Sequence, residues 1–209
     1  MSNPAMHILT YFGDSMLLIP TAVIMALLLR WKNDDRRAVW FWLLAFGCAG
    51  AVVSISKIAF LGFGIGSVRF NFTGFSGHSA MSATLWPVML WLLTGRLARG
   101  WRLAALATGY LIPLLVGISR LALDAHSPSE VISGLLLGYT LSSAFLIAQR
   151  GMRPHGFSLA QLAVALLLPV LLFSQGRVAT TQQFLQRLSA QLAGIEQPWT
   201  RADLLNQRR

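Results

Sequence analysis

Apolar residues in this chain come in long blocks rather than along one face of each helical turn. Six blocks stand out, at residues 8–29, 38–63, 77–94, 103–118, 128–148 and 157–174. Each is close to the length, about 17–25 residues, that a tilted helix needs to cross roughly 30 Å of hydrocarbon. The third and fourth are at the short end. The pattern predicts an all-α fold, a polytopic membrane bundle of about six transmembrane helices filling residues 1–174. Beyond that point the period changes. In residues 175–209, Phe184, Leu185, Leu188, Leu192 and Ile195 recur at helical spacing among glutamines and Arg187. That predicts an amphipathic tail lying on the membrane interface, with a partly disordered tail as the alternative. Trp31, Trp40, Trp42 and Trp101 fall near block ends, as an interfacial aromatic belt would have them.

Composition strengthens the membrane reading. Of the 209 residues, 55% are hydrophobic and 11% charged, against about a quarter charged in soluble domains. The net charge of +10 raises the question of nucleic acid. The basic residues, however, sit at block ends and in the tail, which predicts anchoring to anionic headgroups and no nucleic-acid partner. Nine Lys and Arg lie in the connections at residues 30–37, 95–102 and 150–156, all on one side of the bundle. The positive-inside rule puts that side in the cytoplasm. The connections bearing Arg69 and Arg120 then face the periplasm or the extracellular space, as expected for a multi-pass protein of the cell (inner) membrane. Tail arginines such as Arg187 and Arg201 run against this bias. The first block lacks preceding basic residues and a small-residue cleavage site, so it is expected to remain a span. Cys48, alone within a block, predicts ordinary packing and no disulfide.

Two polar breaks interrupt the outward ends of the blocks: Phe75-Ser76-Gly77-His78-Ser79, and the stretch from Ser119 through Glu130. Polar side chains bordering a bilayer are costly, and by default they mark function. Ser76-Gly77-His78 opens a helix, so backbone N–H groups point at whatever lies above it, and glycine lets an anion come close. A serine N-cap with an incidental histidine is the plain alternative. In the second break, Arg120 offers a planar fork of donors for phosphate oxygens. His126 can serve as nucleophile or base near neutral pH. Glu130 shares a helix face with His126 and can hold its ring N–H as a triad acid does. Ser127-Pro128-Ser129-Glu130 equally reads as a capping box, so Glu130 has two candidate roles. Asp124 is a further, less predictable candidate for orienting His126. Asp14, inside the first block, is expected to make a structural hydrogen bond. His7 and His155 have no partner at metal spacing, and neither metal nor cofactor is expected. The Gly62-Phe63-Gly64-Ile65-Gly66 run lacks a preceding strand; it predicts a close-approach loop rather than a nucleotide site.

Ser119-Arg120, five residues, His126, three residues and Glu130 resemble the third motif, S-R-x5-H-x3-D, of the type 2 phosphatidic acid phosphatase superfamily. Phe75-Ser76-Gly77-His78 resembles its second motif, P-S-G-H, and Lys57 the lysine that opens its first, K-x6-R-P. The resemblance covers roughly residues 54–143. It implies metal-independent hydrolysis of a phosphate or pyrophosphate monoester on a membrane lipid, polyprenyl or glycerophospholipid. His126 would become a phosphohistidine with Glu130 orienting it, and His78 would protonate the leaving oxygen. Lys57, Arg120, Ser76 and the Gly77 N–H would stabilise the phosphoryl oxygens. Gly64 and Ile65 stand where the first motif has Arg-Pro, Phe75 replaces a proline, and Glu130 an aspartate. Arg69, the remaining basic residue of the outward connections, is the expected substitute for the missing arginine. Transfer of the phosphoryl group to a lipid or sugar hydroxyl, and a catalytically silent phospholipid-binding relative, are the alternatives.

Twenty residues separate Arg37 from Lys57, about 30 Å of helix and so one hydrocarbon thickness. Impermeant thiol reagents applied to intact cells should therefore label Phe75→Cys and spare Arg99→Cys. The reverse pattern would invert the topology.

Overall fold

A computed structural model describes residues 4–32, 36–150 and 180–206. The block at 157–174 lies outside the described residues. Eight helices are described: α1 (Pro4–Tyr11), α2 (Ser15–Lys32), α3 (Arg37–Phe63), α4 (Gly77–Leu93), α5 (Arg99–Ala122), α6 (Pro128–Ala148), α7 (Thr180–Ala193) and α8 (Arg201–Asn206). Four stretches are long and apolar enough to cross a membrane: Pro4–Trp31, Arg37–Phe63, Arg99–Ala122 and Pro128–Ala148. The expected count of about six thus becomes four among the described residues.

The first block is broken. Its chain turns at Phe12-Gly13-Asp14, where the Asp14 carboxylate accepts from Met16 N at 2.8 Å and its carbonyl accepts from Leu17 and Leu18. Asp14 thus makes the structural hydrogen bond expected of it, as the N-terminal cap of α2. The break is sealed from the other side by Trp86, whose indole N–H donates to the Phe12 carbonyl at 2.9 Å.

The short helix α4 is the axis of the bundle. Its 17 residues span about 26 Å at 1.5 Å each, and most are buried, Ser79, Ala80, Ser82, Ala83 and Thr84 among them. Helices α5 and α6 pack along it most closely, with α2 and α3 completing the enclosure. Lipid tails are as apolar as leucine, so helices in a membrane associate through close contact of small residues rather than by exclusion from water. Gly138 on α6 shows this most clearly. A Cβ there would run into the Ala80 carbonyl, would meet Ala83 Cβ at 2.5 Å and would lie 3.0 Å from Thr84 N, none of which can swing aside.

The lipid-facing surface is correspondingly apolar: Ile55, Leu111, Ile132, Leu136 and Ile147 are exposed. Trp31, Trp40 and Trp101 are exposed near helix ends as expected. Trp42 is not part of that belt. It is fully buried, and its indole N–H donates to the Ala22 carbonyl at 2.9 Å, which fastens α3 to α2. Cys48 is exposed on α3 rather than packed inside.

The C-terminal helices do not stand apart from the bundle. Leu185 of α7 and Leu204 of α8 are buried against Phe60 and Leu61 of α3, with Trp199 and Val68 at the edges. The Trp199 N–H donates to the Leu61 carbonyl at 2.9 Å. Phe184 and Leu192 remain exposed on the far side of α7. One face of the amphipathic helix therefore meets protein while apolar side chains are still presented outward.

Gly138→Leu should overpack the α4–α6 contact and cost about 1–3 kcal/mol or more. The check is a drop in thermal unfolding temperature in detergent, against an unchanged Gly47→Leu control on an open face.

Candidate active site

Three connections meet at one end of the bundle. Helix α3 ends at Gly64 in the left-handed conformation, and the chain returns to α4 through a tight turn closed by reciprocal Ser67–Phe72 backbone bonds of 2.9 Å. Phe75 N donates to Ser56 Oγ at 3.1 Å, which ties the end of this connection to α3. The α5–α6 connection turns through Asp124, also left-handed and exposed. From the third direction come α7 and the Trp199–Arg201 segment.

At the meeting point lies a cavity of about 410 Å³. Lys57, His78, Arg120 and His126 line it together, although they come from three separate stretches of chain. Each is held. Lys57 Nζ donates to Gln182 Oε1 at 3.0 Å, and Arg120 Nη1 donates to Thr10 Oγ1 at 2.8 Å. Arg120 Nε is buried without a hydrogen-bond partner among the described residues. A buried cationic donor left unpaired in a cavity is a group suited to an anion, since leaving it unmade is expensive.

Glu130 sits beneath the cavity with no solvent exposure. Its Oε1 accepts from Thr73 N at 2.7 Å, Thr73 Oγ1 at 2.5 Å and Arg201 Nη2 at 2.8 Å. Its Oε2 accepts from Ser127 N at 3.1 Å and Arg201 Nη2 at 2.7 Å, and lies 2.7 Å from His126 Nδ1. An ionised carboxylate can only accept, so the His126 proton belongs on Nδ1 and Nε2 is left with its lone pair. The two candidate roles of Glu130 are not exclusive. A complete capping box with Ser127 is present, and the same oxygen that closes it also holds the imidazole. Burial lowers the pKa of His126 below the usual imidazole value. Its contact with Glu130 opposes the shift, and the positive charges of Lys57 and Arg120 add to it. The ring is therefore neutral at pH 7, the form in which Nε2 can attack or accept a proton.

The remaining sequence candidates fall elsewhere. Ser76 is fully buried as the N-cap of α4. Its Oγ accepts from Ser79 Oγ at 3.0 Å, and its N–H donates to the Glu130 carbonyl at 3.0 Å. It is not on the cavity wall. Gly77 lines a neighbouring cavity of about 170 Å³ that shares Lys57, His78 and Gln182 with the first. Arg69 is exposed in the Ser67–Phe72 turn, with its guanidinium 5.4 Å from the Phe70 ring, and is not among the residues lining the cavity. The reciprocal bonds of that turn hold Arg69 at its tip. The guanidinium that does line the cavity, beside Arg120, is Arg201.

Sequence reasoning missed four partners: Thr10, Thr73, Gln182 and Arg201. Thr10, Thr73 and Gln182 belong to no motif and announce nothing by spacing. Arg201 carried one readable signal. Thr200-Arg201-Ala202-Asp203 is a capping pattern, with Asp203 Oδ2 accepting from Thr200 N at 2.8 Å, and it foretold a helix start without its docking place. Among the described residues no three His, Cys, Asp or Glu side chains assemble as metal ligands.

Similarity to known proteins extends over nearly the whole chain. An uncharacterized 22.5 kDa protein in the cps region of Klebsiella pneumoniae is 43% identical over 204 residues, covering 96% of this chain and 98% of that protein. No solved structure matches the chain. The PAP2 superfamily profile matches residues 64–153, a stretch that contains His78, Arg120, His126 and Glu130. The chain belongs to the PAP2 superfamily, the type 2 phosphatidic acid phosphatases, a membership that points to phosphatase-type chemistry.

Proposed function

We propose that the protein is an integral-membrane phosphatase that removes phosphate from a lipid phosphate or pyrophosphate monoester through a phosphohistidine on His126. One observation carries the reading: His126 is held through Nδ1 by Glu130 at 2.7 Å while lining a cavity shared with His78, Lys57 and Arg120. Nε2 attacks phosphorus, the bond from phosphorus to the lipid oxygen breaks, and His78 gives that oxygen a proton. Water then attacks phosphorus and gives a proton to His78, the P–N bond breaks, and inorganic phosphate leaves with His126 and the His78 proton restored. Lys57 and Arg120 offset the charge that gathers on the phosphoryl oxygens, which is most of what phosphoryl transfer requires of a protein. A phosphate dianion between these cations also supplies the negative charge that lets His78 hold the proton it donates. Ser76 acts indirectly in this scheme, by fixing the start of α4.

A lipid substrate is supported by the second cavity. Ile19, Val53, Met81 and Leu185 line it, and it shares Lys57 and His78 with the first, so an apolar chain and its phosphate have adjoining places. The site is proposed to face the periplasm or cell exterior, on the side opposite the arginine-rich connections.

The test is phosphate release by the purified protein in detergent, across a panel of polyprenyl and glycerophospholipid phosphates. Activity should survive a chelator, and His126→Ala should lower it by about a thousandfold or more. His78→Ala should slow turnover least for substrates with good leaving groups, where a general acid matters least. Full activity in His126→Ala would sink the mechanism.

Glu130→Gln separates orientation from capping. Glutamine serves in a capping box at a cost of about 1 kcal/mol or less. Here it turns an N–H₂ toward donors and breaks a buried pair, so the expected loss is about 3 kcal/mol by thermal unfolding. Turnover should fall at least about a hundredfold.

A further inference from the structure

Arg201 is the one cation hydrogen-bonded to Glu130 among the described residues, and it arrives from 71 positions along the chain. Its placement is determined at both ends of the guanidinium. Nη1 donates to Asn71 Oδ1 at 3.0 Å, and Nη2 spans the two carboxylate oxygens of Glu130 and approaches Thr73 Oγ1 at 3.4 Å. The backbone just before it is pinned to α3 through Trp199 N and the Leu61 carbonyl, and Leu204 is buried one turn later. The contact therefore belongs to a packed segment and is unlike a surface arginine meeting an available acid.

A carboxylate with no solvent exposure has two ways to be offset. It can pair with a fixed cation, or it can draw a proton onto the neighbouring imidazole and pair with that. The other charged or titratable groups lining this cavity are Lys57 on α3, His78 on α4 and Arg120 on α5. Lys57 is bonded to Gln182 and feels the Glu130 charge without touching it, Arg120 is bonded to Thr10, and Asp14 acts on Arg120. Asp124 on the α5–α6 connection is exposed, and Asp203 on α8 is engaged by Thr200. Gln182 and Gln186 of α7 are neutral. Among the charged and titratable groups of the described residues, Arg201 alone meets the Glu130 oxygens directly without being a proton carrier.

We propose that Arg201 is a positioning residue: it holds Glu130 as a carboxylate and balances its charge, so that His126 is oriented through Nδ1 yet left unprotonated and nucleophilic at Nε2. Without Arg201, Glu130 and His126 pair as carboxylate and imidazolium, and the nucleophile is occupied by a proton until the pH is higher. The C-terminal segment thereby completes the site, and a chain truncated before Trp199 keeps the histidines while losing the charge balance. The sense of the effect follows from charge. Arg201 disfavours the protonated ring, so its removal moves the His126 titration upward and moves the acid limb of the activity profile with it.

This rests on His126 as the reactive nitrogen of the proposed phosphatase, so the test uses one readout that needs no substrate. Full-length protein in detergent is treated with diethyl pyrocarbonate from pH 4 to pH 8, and carbethoxylation of His126, which requires the neutral ring, is followed by peptide mass spectrometry. In Arg201→Gln the midpoint should rise by about one unit or more, roughly a tenfold loss of neutral imidazole below it. Arg201→Lys, which keeps the charge but not the fork, should return the midpoint toward wild type. The acid limb of kcat/KM for phosphate release should shift in parallel. A merely structural role would lower thermal stability and leave the titration in place. Coincident His126 curves for wild type and Arg201→Gln overturn the proposal, whatever the activity. A shifted curve without phosphate release in any variant upholds Arg201 and rejects the phosphatase reading. Should Arg201→Gln fail to fold, Asn71→Gly carries the same test. It suits the left-handed backbone at position 71 (φ 49°) and removes the Oδ1 acceptor of Nη1, leaving only the longer bond to the residue-71 carbonyl at 3.5 Å; a raised midpoint supports the proposal and an unmoved one overturns it.

Discussion

The buried carboxylate of Glu130 is the constraint on which this end of the molecule depends. Removing a carboxylate from water costs several kcal/mol unless charge and hydrogen bonds replace the lost solvation. Here the replacements come from separate stretches of chain: Thr73 from the α3–α4 connection, Ser127 and His126 from the α5–α6 connection, and Arg201 from α8. Satisfying that one group therefore fixes two connections and a terminal segment relative to each other. The Glu130 carbonyl extends the same linkage to Ser76 N at the start of α4.

Close helix packing carries that local order to the histidines. At the N-terminal end of α4, Gly134 of α6 lies so near that a Cβ would meet the Ser76 carbonyl at 2.8 Å. Gly13, at the break between α1 and α2, approaches the other side, 2.6 Å from Val116 Cγ1 and 3.0 Å from His78 Cβ if it carried a Cβ. His78 is thus held between two close contacts, and His126 is held by the acid at the head of α6. Fixing two side chains on interlocked helices sets their geometry before any ligand arrives, which is the form of preorganisation that phosphoryl transfer rewards.

The C-terminal segment packs against this site. One face of α7 brings Gln182 to Lys57 and buries Leu185, while Phe184 and Leu192 stay exposed. The larger cavity holds the cations and the smaller one an apolar lining, with Lys57 and His78 between them. This arrangement joins a place for charge to a place for hydrocarbon, which is what a phosphate attached to a lipid presents.

Block lengths, the arginine-rich connections and the spacing of Ser119, Arg120, His126 and Glu130 were legible in the sequence because each depends on local chemistry: hydrocarbon thickness, anionic headgroups, and a helix turn that brings i and i+4 together. The same reasoning placed Trp42 in an interfacial belt and Arg69 at the phosphate, and both placements were decided otherwise by contacts. Trp42 is buried because α2 offers the Ala22 carbonyl to its indole, and Arg69 is kept at the turn tip by the Ser67–Phe72 bonds. The break at Gly13, the seating of Arg120 on Thr10, and the docking of Arg201 on Glu130 likewise join residues 71 to 110 positions apart. A sequence determined by itself which residues can carry charge into a membrane and how far apart they lie along a helix. Which cation meets which carboxylate was decided only by the tertiary structure, because a buried charge accepts whatever partner the packed helices bring within reach.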